Sequence, residues 1–199
     1  SVFYAYMEMT HHALRLYDEI NQRLYLNQTE RLRFHAVACT RPREVRAFAL
    51  TLLYTGCRIS EACTMKSAAL QAQARSLSIM CLKKRSLGIV REVPIPTELV
   101  DALAQISSTA EDYLWGSGSS PFPRISAYRW IKSIMAEADL DGAHACPKGL
   151  RHGYGVNATS SGVLLHMLQR WRGHSSIKTT AIYATVVGPD EQRLAELMW

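Results

Sequence analysis

The sequence is short of several features, and each shortage narrows what the chain can be. No run of about 18 apolar residues occurs, so no membrane span is expected. No C-x-x-C pair occurs among the 5 cysteines, Cys39, Cys57, Cys63, Cys81 and Cys146. That odd number, set largely among apolar residues, suits buried free thiols in a reducing compartment. The opening SVFYAYMEMTHH lacks a basic start and a long apolar run, so no signal peptide is expected and the protein reads as cytoplasmic. The sequence offers no acidic cluster suited to Mg²⁺, no P-loop and no G-x-S-x-G elbow. The pair His11-His12 has no partner ligand at a convincing spacing, so neither a metal nor another cofactor is expected. Acid is also in deficit, with 17 Asp and Glu against 23 Lys and Arg, a net charge of +6. The surplus fits a polyanion partner without requiring one.

What remains suits one compact domain, or one domain plus an arm, in 199 residues of which 48% are apolar. Helical spacing of apolar residues predicts helices over much of the chain, the first from His11 to Leu26. Asn27 and Glu30 mark the next helix start, and Pro42 opens a helix that Gly56 ends. Ser60 is expected to cap a short helix just after Arg58. Alternation at Leu77, Ile79 and Cys81, then Ile89 to Ile95, predicts a hairpin around the basic turn KKRSLG, with a third strand near Ala68 to Gln71. Pro94 marks the second hairpin strand as an edge. Thr97 and Ser126 are expected caps of two further helices. Pro147 opens a helix carrying Arg151, Gly173 ends the next, and Ser175 or Ser176 caps one holding Tyr183. The fold class is therefore mainly α with a small antiparallel β-sheet.

The stretch PKGLRHGYGVNATSSGVLLHMLQRWRGHSSIKTTAIY places Lys148, Arg151, His152, His174 and Tyr183 close together in sequence. Arg58 and Arg151 each lie at or inside the first turn of a predicted helix. Two guanidiniums converging with helix N-termini suit a phosphate. His174 can donate to a further oxygen, and Tyr183 offers a phenol that neighbouring cations can favour as a nucleophile. With no metal motif, charge stabilisation falls to side chains. Each piece alone is ordinary: a helix-start Arg is usually structural, and a Tyr beside Ile182 and Val186 is usually core. Their joint order and spacing carry the reading.

At these residues the sequence resembles the tyrosine recombinase, or phage integrase, family. TGCRISE resembles the first arginine motif, LRH the second and GHSSIKTTAIY the third, with the resemblance covering about residues 26 to 187. The resemblance implies catalytic Arg58, Arg151 and His174, with Tyr183 as nucleophile and Glu61 and His152 in support. It implies a catalytic Lys in the hairpin turn as general acid. Lys83 is preferred, four positions after Ile79, because alternation prevents Lys83 and Lys84 from facing one groove. Lys84, Arg85, Arg91, Arg172 and Lys178 are then expected on DNA. Two positions depart from the family pattern. Lys148 stands where a His is usual and is expected to hold a phosphate oxygen. Arg172 replaces an apolar residue before Gly-His and is expected to face DNA or a partner subunit.

The implied function is site-specific recombination through a 3′-phosphotyrosine, without metal or ATP. The implied partners are double-stranded DNA, other copies of the chain as a tetramer on DNA, and accessory DNA-bending proteins, at the nucleoid. The expected division is an N-terminal arm or linker helix at 1–26, a catalytic domain at 27–187 and a C-terminal helix at 188–199 that docks on a neighbour. The short lead before the catalytic frame fits a fragment or a member without the family's N-terminal clamp, and predicts weak DNA binding. The alternatives are a non-catalytic DNA-binding regulator on the same scaffold and a type IB topoisomerase. The motif spacing and size argue against the topoisomerase, and the intact site against the regulator.

Overall fold

Eight α-helices and one three-stranded sheet build the described part of the chain, which in this computed structural model comprises residues 15–82, 88–174 and 176–185. The helices are α1 (Gln28–Cys39), α2 (Arg43–Thr55), α3 (Ile59–Cys63), α4 (Thr97–Ala104), α5 (Arg124–Glu137), α6 (Pro147–Ser160), α7 (Leu165–Arg172) and α8 (Ile177–Ala181). A 3₁₀ turn at Ile182–Thr185 carries Tyr183. Strands β1 (Leu70–Gln71), β2 (Ser76–Met80) and β3 (Val90–Pro94) pair antiparallel in sequence order, with Leu77 opposite Val93. The expected fold class and all three strands are present, and β3 is the edge that Pro94 required.

The helix starts follow local chemistry. Asn27 Oδ1 accepts from the Glu30 N–H at 2.9 Å, and Glu30 Oε2 accepts from the Asn27 N–H at 2.8 Å, a reciprocal cap that begins α1. Helix α3 begins one residue before Ser60 because Glu61 Oε2, not a serine, accepts the Arg58 N–H at 2.8 Å. Pro123 likewise starts α5 ahead of Ser126, and Pro96 precedes α4. The helix expected from His11 to Leu26 is absent over residues 15–26. There Asp18 Oδ1 accepts from the N–H groups of Ile20 (3.0 Å) and Gln22 (2.7 Å), and Asn21 takes φ +60°. A side-chain acceptor has displaced the helix with a turn. Leu16, Tyr25 and Leu26 from this turn are buried, so it packs onto the domain.

The main core joins Phe34, Phe48, Leu52, Leu77, Ile79, Val93, Leu99, Leu103, Ile131, Met135 and Leu150. Phe48 meets Trp115 edge-on at 5.0 Å, and Trp115 Nε1 donates to the Ala62 carbonyl at 2.7 Å. A smaller cluster of Leu16, Tyr25, Val156, Ala158, Leu168 and Tyr183 lies beside it. Helix α6 borders both clusters, which seats its polar residues between them.

Candidate active site

Three separate segments meet near the N-terminal ends of α3 and α6; Arg151, expected at or inside the first turn, falls just past it. Arg58 caps α3, and Arg151 sits in the second turn of α6. Arg151 Nη1 donates to the carbonyl of Gly56, two residues before Arg58. Its Nη2 donates to the Arg172 carbonyl at 3.1 Å and reaches His174 Nε2 at 3.3 Å. Gly173 lets the chain turn sharply between those two partners, because its φ of +66° would strain any residue with a side chain. Arg58, Arg151 and His174, widely separated in sequence, are thus brought to one place.

Glu61 is the carboxylate beneath this group, and it is 2% exposed. Arg58 Nη1 donates to Glu61 Oε1 at 2.9 Å, and Arg91 Nη2 donates to Oε2 at 2.6 Å. Burial works to raise the Glu61 carboxyl, but the hydrogen bonds and charge of Arg91 outweigh it and hold it below its usual range. Arg91 also donates to the Trp171 carbonyl at 2.7 Å, which ties β3 to α7. Arg91 is therefore buried at 5% exposure, not laid out for DNA as its basic character suggested. The strand alternation carried the signal, since Arg91 is in phase with the buried Val93 and Ile95.

Arg172 is the larger departure. It was expected to face DNA or a partner subunit, yet it is 1% exposed. It lies one helical turn after the buried Leu168 and so points inward. Its Nη1 donates to the Arg151 carbonyl, its Nη2 donates to Tyr183 Oη at 2.6 Å, and its Nε lies 3.4 Å from His174 Nε2. Its guanidinium also stacks over the Tyr183 ring, 4.6 Å from the centroid. Neither Arg151 nor Arg172 donates to a carboxylate in these bonds. Burial lowers the pKa of both below the usual arginine range, and for Arg151 the charges of Arg172 and Arg58 add to it.

The two histidines have assignable roles. His174 Nε2 faces two guanidiniums, which only donate, so Nε2 is the acceptor and Nδ1–H donates to Thr180 Oγ1 at 2.9 Å. In this arrangement His174 accepts, where the sequence suggested a phosphate donor. Burial, then Arg172 and Arg151, push its pKa down to about 2. His152 Nδ1 lies 3.0 Å from Tyr183 Oη and is also uncharged, its pKa pushed to about 3 by burial, Arg172 and Lys148. Tyr183 Oη accepts from Arg172, so its own proton is free to go to His152 Nδ1.

Tyr183 is 1% exposed and its ring belongs to the smaller core cluster, while its hydroxyl belongs to the polar site. Its backbone carbonyl accepts from Thr159 Oγ1 at 3.1 Å. Gly155 makes the seat: a Cβ there would stand 2.6 Å from Tyr183 Cε1. Lys148 is exposed in the first turn of α6, with its charge reaching His152. Lys178 is exposed on α8. Lys83, Lys84, Arg85 and the segment 188–199 lie outside the described residues. Cys81 N–H still donates to the Ile89 carbonyl at 2.9 Å, and Gly173 packs near Cys81 and Arg91, so the strand ends flanking 83–87 adjoin the site.

A second group has metal-ligand chemistry. Single ligand atoms of His35, Cys39 and Glu98 lie within 4.8 Å of one another. They already hydrogen-bond among themselves, and Glu98 also receives Tyr54 Oη at 2.6 Å and pairs with Arg46 at 3.7 Å. The group works as a polar knot joining α1, α2 and α4.

Comparison with known proteins agrees with this geometry. The sequence model of the phage integrase family matches residues 22–187. The tyrosine recombinase XerC of Erythrobacter litoralis is 30% identical over 164 residues, covering 80% of this chain and 51% of that protein. The tyrosine recombinase XerD of Rhizobium meliloti is 31% identical over 158 residues, covering 75% of this chain and 49% of that protein. The chain thus spans about half the length of these relatives. Among solved structures, XerA recombinase matches with a TM-score of 0.75 at 24% identity, covering 89% of this chain and 65% of that one. The XerH site-specific recombinase, solved with its difH substrate before cleavage, matches with a TM-score of 0.70 at 19% identity, covering 92% of this chain and 59% of that one. The chain belongs to the phage integrase family, as a tyrosine recombinase catalytic domain.

Proposed function

We propose that the chain cleaves and rejoins DNA strands as a site-specific recombinase, through a 3′-phosphotyrosine on Tyr183. The observation that carries this reading is the surplus of buried positive charge beside a phenol. Arg58, Arg91 and Arg151 act on one carboxylate, Glu61, while Arg172 bonds the Arg151 carbonyl and reaches Tyr183 Oη. Burying guanidiniums without counter-charges is costly, so a protein that keeps them there needs an anion that arrives. A DNA phosphate supplies that anion.

In the proposed reaction Tyr183 Oη attacks the phosphorus and the bond to the 5′ oxygen breaks. Arg58, Arg151 and Lys148 hold the non-bridging oxygens. Lys83 gives its proton to the departing 5′ oxygen, and a 5′ hydroxyl from a partner strand later reverses the step. The phosphotyrosine keeps the bond energy, so rejoining needs no nucleotide. Double-stranded DNA is the proposed partner, as the DNA-bound XerH neighbour suggests. Strand exchange brings together two duplexes and four protomers, with accessory DNA-bending proteins as further proposed partners and the segment 188–199 docking on a neighbour.

A pool of nicked duplexes with a randomised core tests the reading. Cleavage next to a nick releases a short strand and traps the covalent complex. The expected result is a protein–DNA adduct on a denaturing gel, absent in Tyr183→Phe. No adduct from any duplex in the pool, with DNA retained only non-covalently, contradicts the reading and favours a binding protein.

A further inference from the structure

We infer that Arg172 is a catalytic residue of this site, the guanidinium that stabilises negative charge on the Tyr183 oxygen as it attacks and as it leaves. The inference rests on the proposed phosphotyrosine reaction and adds a group to it.

The geometry fixes the polarity of the contact. Arg172 has donors only, so at 2.6 Å its Nη2 must donate to Tyr183 Oη. The phenol proton then points to His152 Nδ1, 3.0 Å away. His152 is therefore placed to hold the phenol proton in a hydrogen bond, and Arg172 to meet the charge left when that proton is lost. Charge-assisted bonds of this kind are the strong ones, most of all where water is excluded. Water is scarce here, with Arg172 and Tyr183 each 1% exposed.

The anchoring of Arg172 matches the role. It is held through Nη1 on the carbonyl of Arg151 and sits beside His174 Nε2, which joins it to the proposed phosphate-binding Arg151. The tyrosine comes from the neighbouring 3₁₀ turn and must be uncovered to meet DNA, but its oxygen starts from this guanidinium. The groups facing the oxygen are Arg172 from α7 and His152 from α6. Arg151, His174 and Tyr154 adjoin Arg172 in turn, Arg58 and Arg91 also act on it, and Lys148 and Arg151 act on His152. In the forward step Tyr183 Oη loses its proton to solvent, the Oη–P bond forms, and the P–O5′ bond breaks as O5′ takes a proton from Lys83. In the reverse step the 5′ hydroxyl of the partner strand gives its proton to Lys83 and forms the P–O5′ bond, the Oη–P bond breaks, its electron pair returns to Oη against Arg172, and Oη regains a proton from solvent.

The test is single-turnover adduct formation on the nicked duplexes across pH, with Arg172→Met and Arg172→Lys and with melting curves for each. Arg172→Met removes the charge at similar length, and the expected loss is about 10²- to 10³-fold near neutral pH. The deficit should shrink as pH rises, because hydroxide then removes the phenol proton without help, and Arg172→Lys should recover part of the rate. A structural role predicts an equal loss at every pH and no recovery, and overturns the proposal. Faster adduct formation in Arg172→Met also overturns it, by making the contact a latch on the tyrosine. Should Arg172→Met fail to melt cooperatively, Arg172→Lys alone decides by the same pH criterion; failure of both assigns Arg172 to the fold and overturns the proposal. A Tyr183-dependent adduct that forms equally fast in wild type and Arg172→Met sinks this inference and leaves the recombinase reading standing. No adduct from wild type sinks both.

Discussion

At Glu98, one partly exposed carboxylate collects His35, Cys39, Tyr54 and Arg46, and each of the four reaches the carboxylate. At Glu61, one buried carboxylate stands among Arg58, Arg91 and Arg151, only the first two donate to it, and Arg172 lies beyond Arg151 with no carboxylate of its own. Both clusters are built around one glutamate, with short hydrogen bonds of 2.6 to 2.9 Å in each. The first closes on itself and joins three helices. The second leaves positive charge buried next to a phenol, which makes it unstable by itself and receptive to an anion. Charge balance, more than the presence of charged residues, separates the structural cluster from the proposed reactive one.

Removing an unanswered charge should injure chemistry and spare the fold. Arg151→Met is expected to lower the single-turnover adduct rate by about 10³-fold or more, with the melting temperature unchanged or raised. Rates on nicked duplexes together with calorimetry check both halves. Removing the carboxylate should do the reverse. Glu61→Gln leaves Arg58 and the buried Arg91 unpaired and should cost about 3–5 kcal/mol in urea unfolding.

Acid provides a third test. The His152 pKa lies at about 3 in the folded protein against 6.5 for the free side chain, and that of His174 at about 2. The unfolded chain therefore takes up protons first as pH falls. Stability conferred by these uncharged imidazoles is complete above about 6.5 and declines as pH drops toward 3. Urea midpoints measured from pH 7.5 to 4 should fall steadily, and a flat profile would show that the imidazoles are not buried uncharged. The smallest effect belongs to the balanced cluster. Glu98→Gln keeps the hydrogen bonds to Tyr54 and His35 in part and should cost about 1 kcal/mol, with adduct formation unaffected.

Much of this was legible in the sequence. The order of Arg58, Arg151, His174 and Tyr183 fixed which segments had to meet, and helical and strand periodicity gave their supports. The misses share a cause. Arg91 and Arg172 were read by charge, yet each sits in phase with buried neighbours, Val93 on the strand and Leu168 on the helix. Periodicity said inward, and residue type said outward. Periodicity won because carbonyls, Glu61 and the Tyr183 hydroxyl supply the acceptors that a buried guanidinium needs. The acceptor role of His174 was not legible, since it depends on two arginines from different helices pointing at one nitrogen. The turn at residues 18–22 was missed because Asp18 bonds the backbone locally, which apolar spacing does not register.

The central claim, that the unanswered arginines serve a phosphate attacked by Tyr183, has one most direct test. The adduct trapped on a nicked duplex can be digested with protease and nuclease and the modified peptide identified by mass spectrometry. The predicted result is a nucleotide 3′-phosphate on the peptide containing Tyr183, with the modification on the phenol oxygen. A nucleotide on another residue, or a link through the 5′ phosphate, would contradict it.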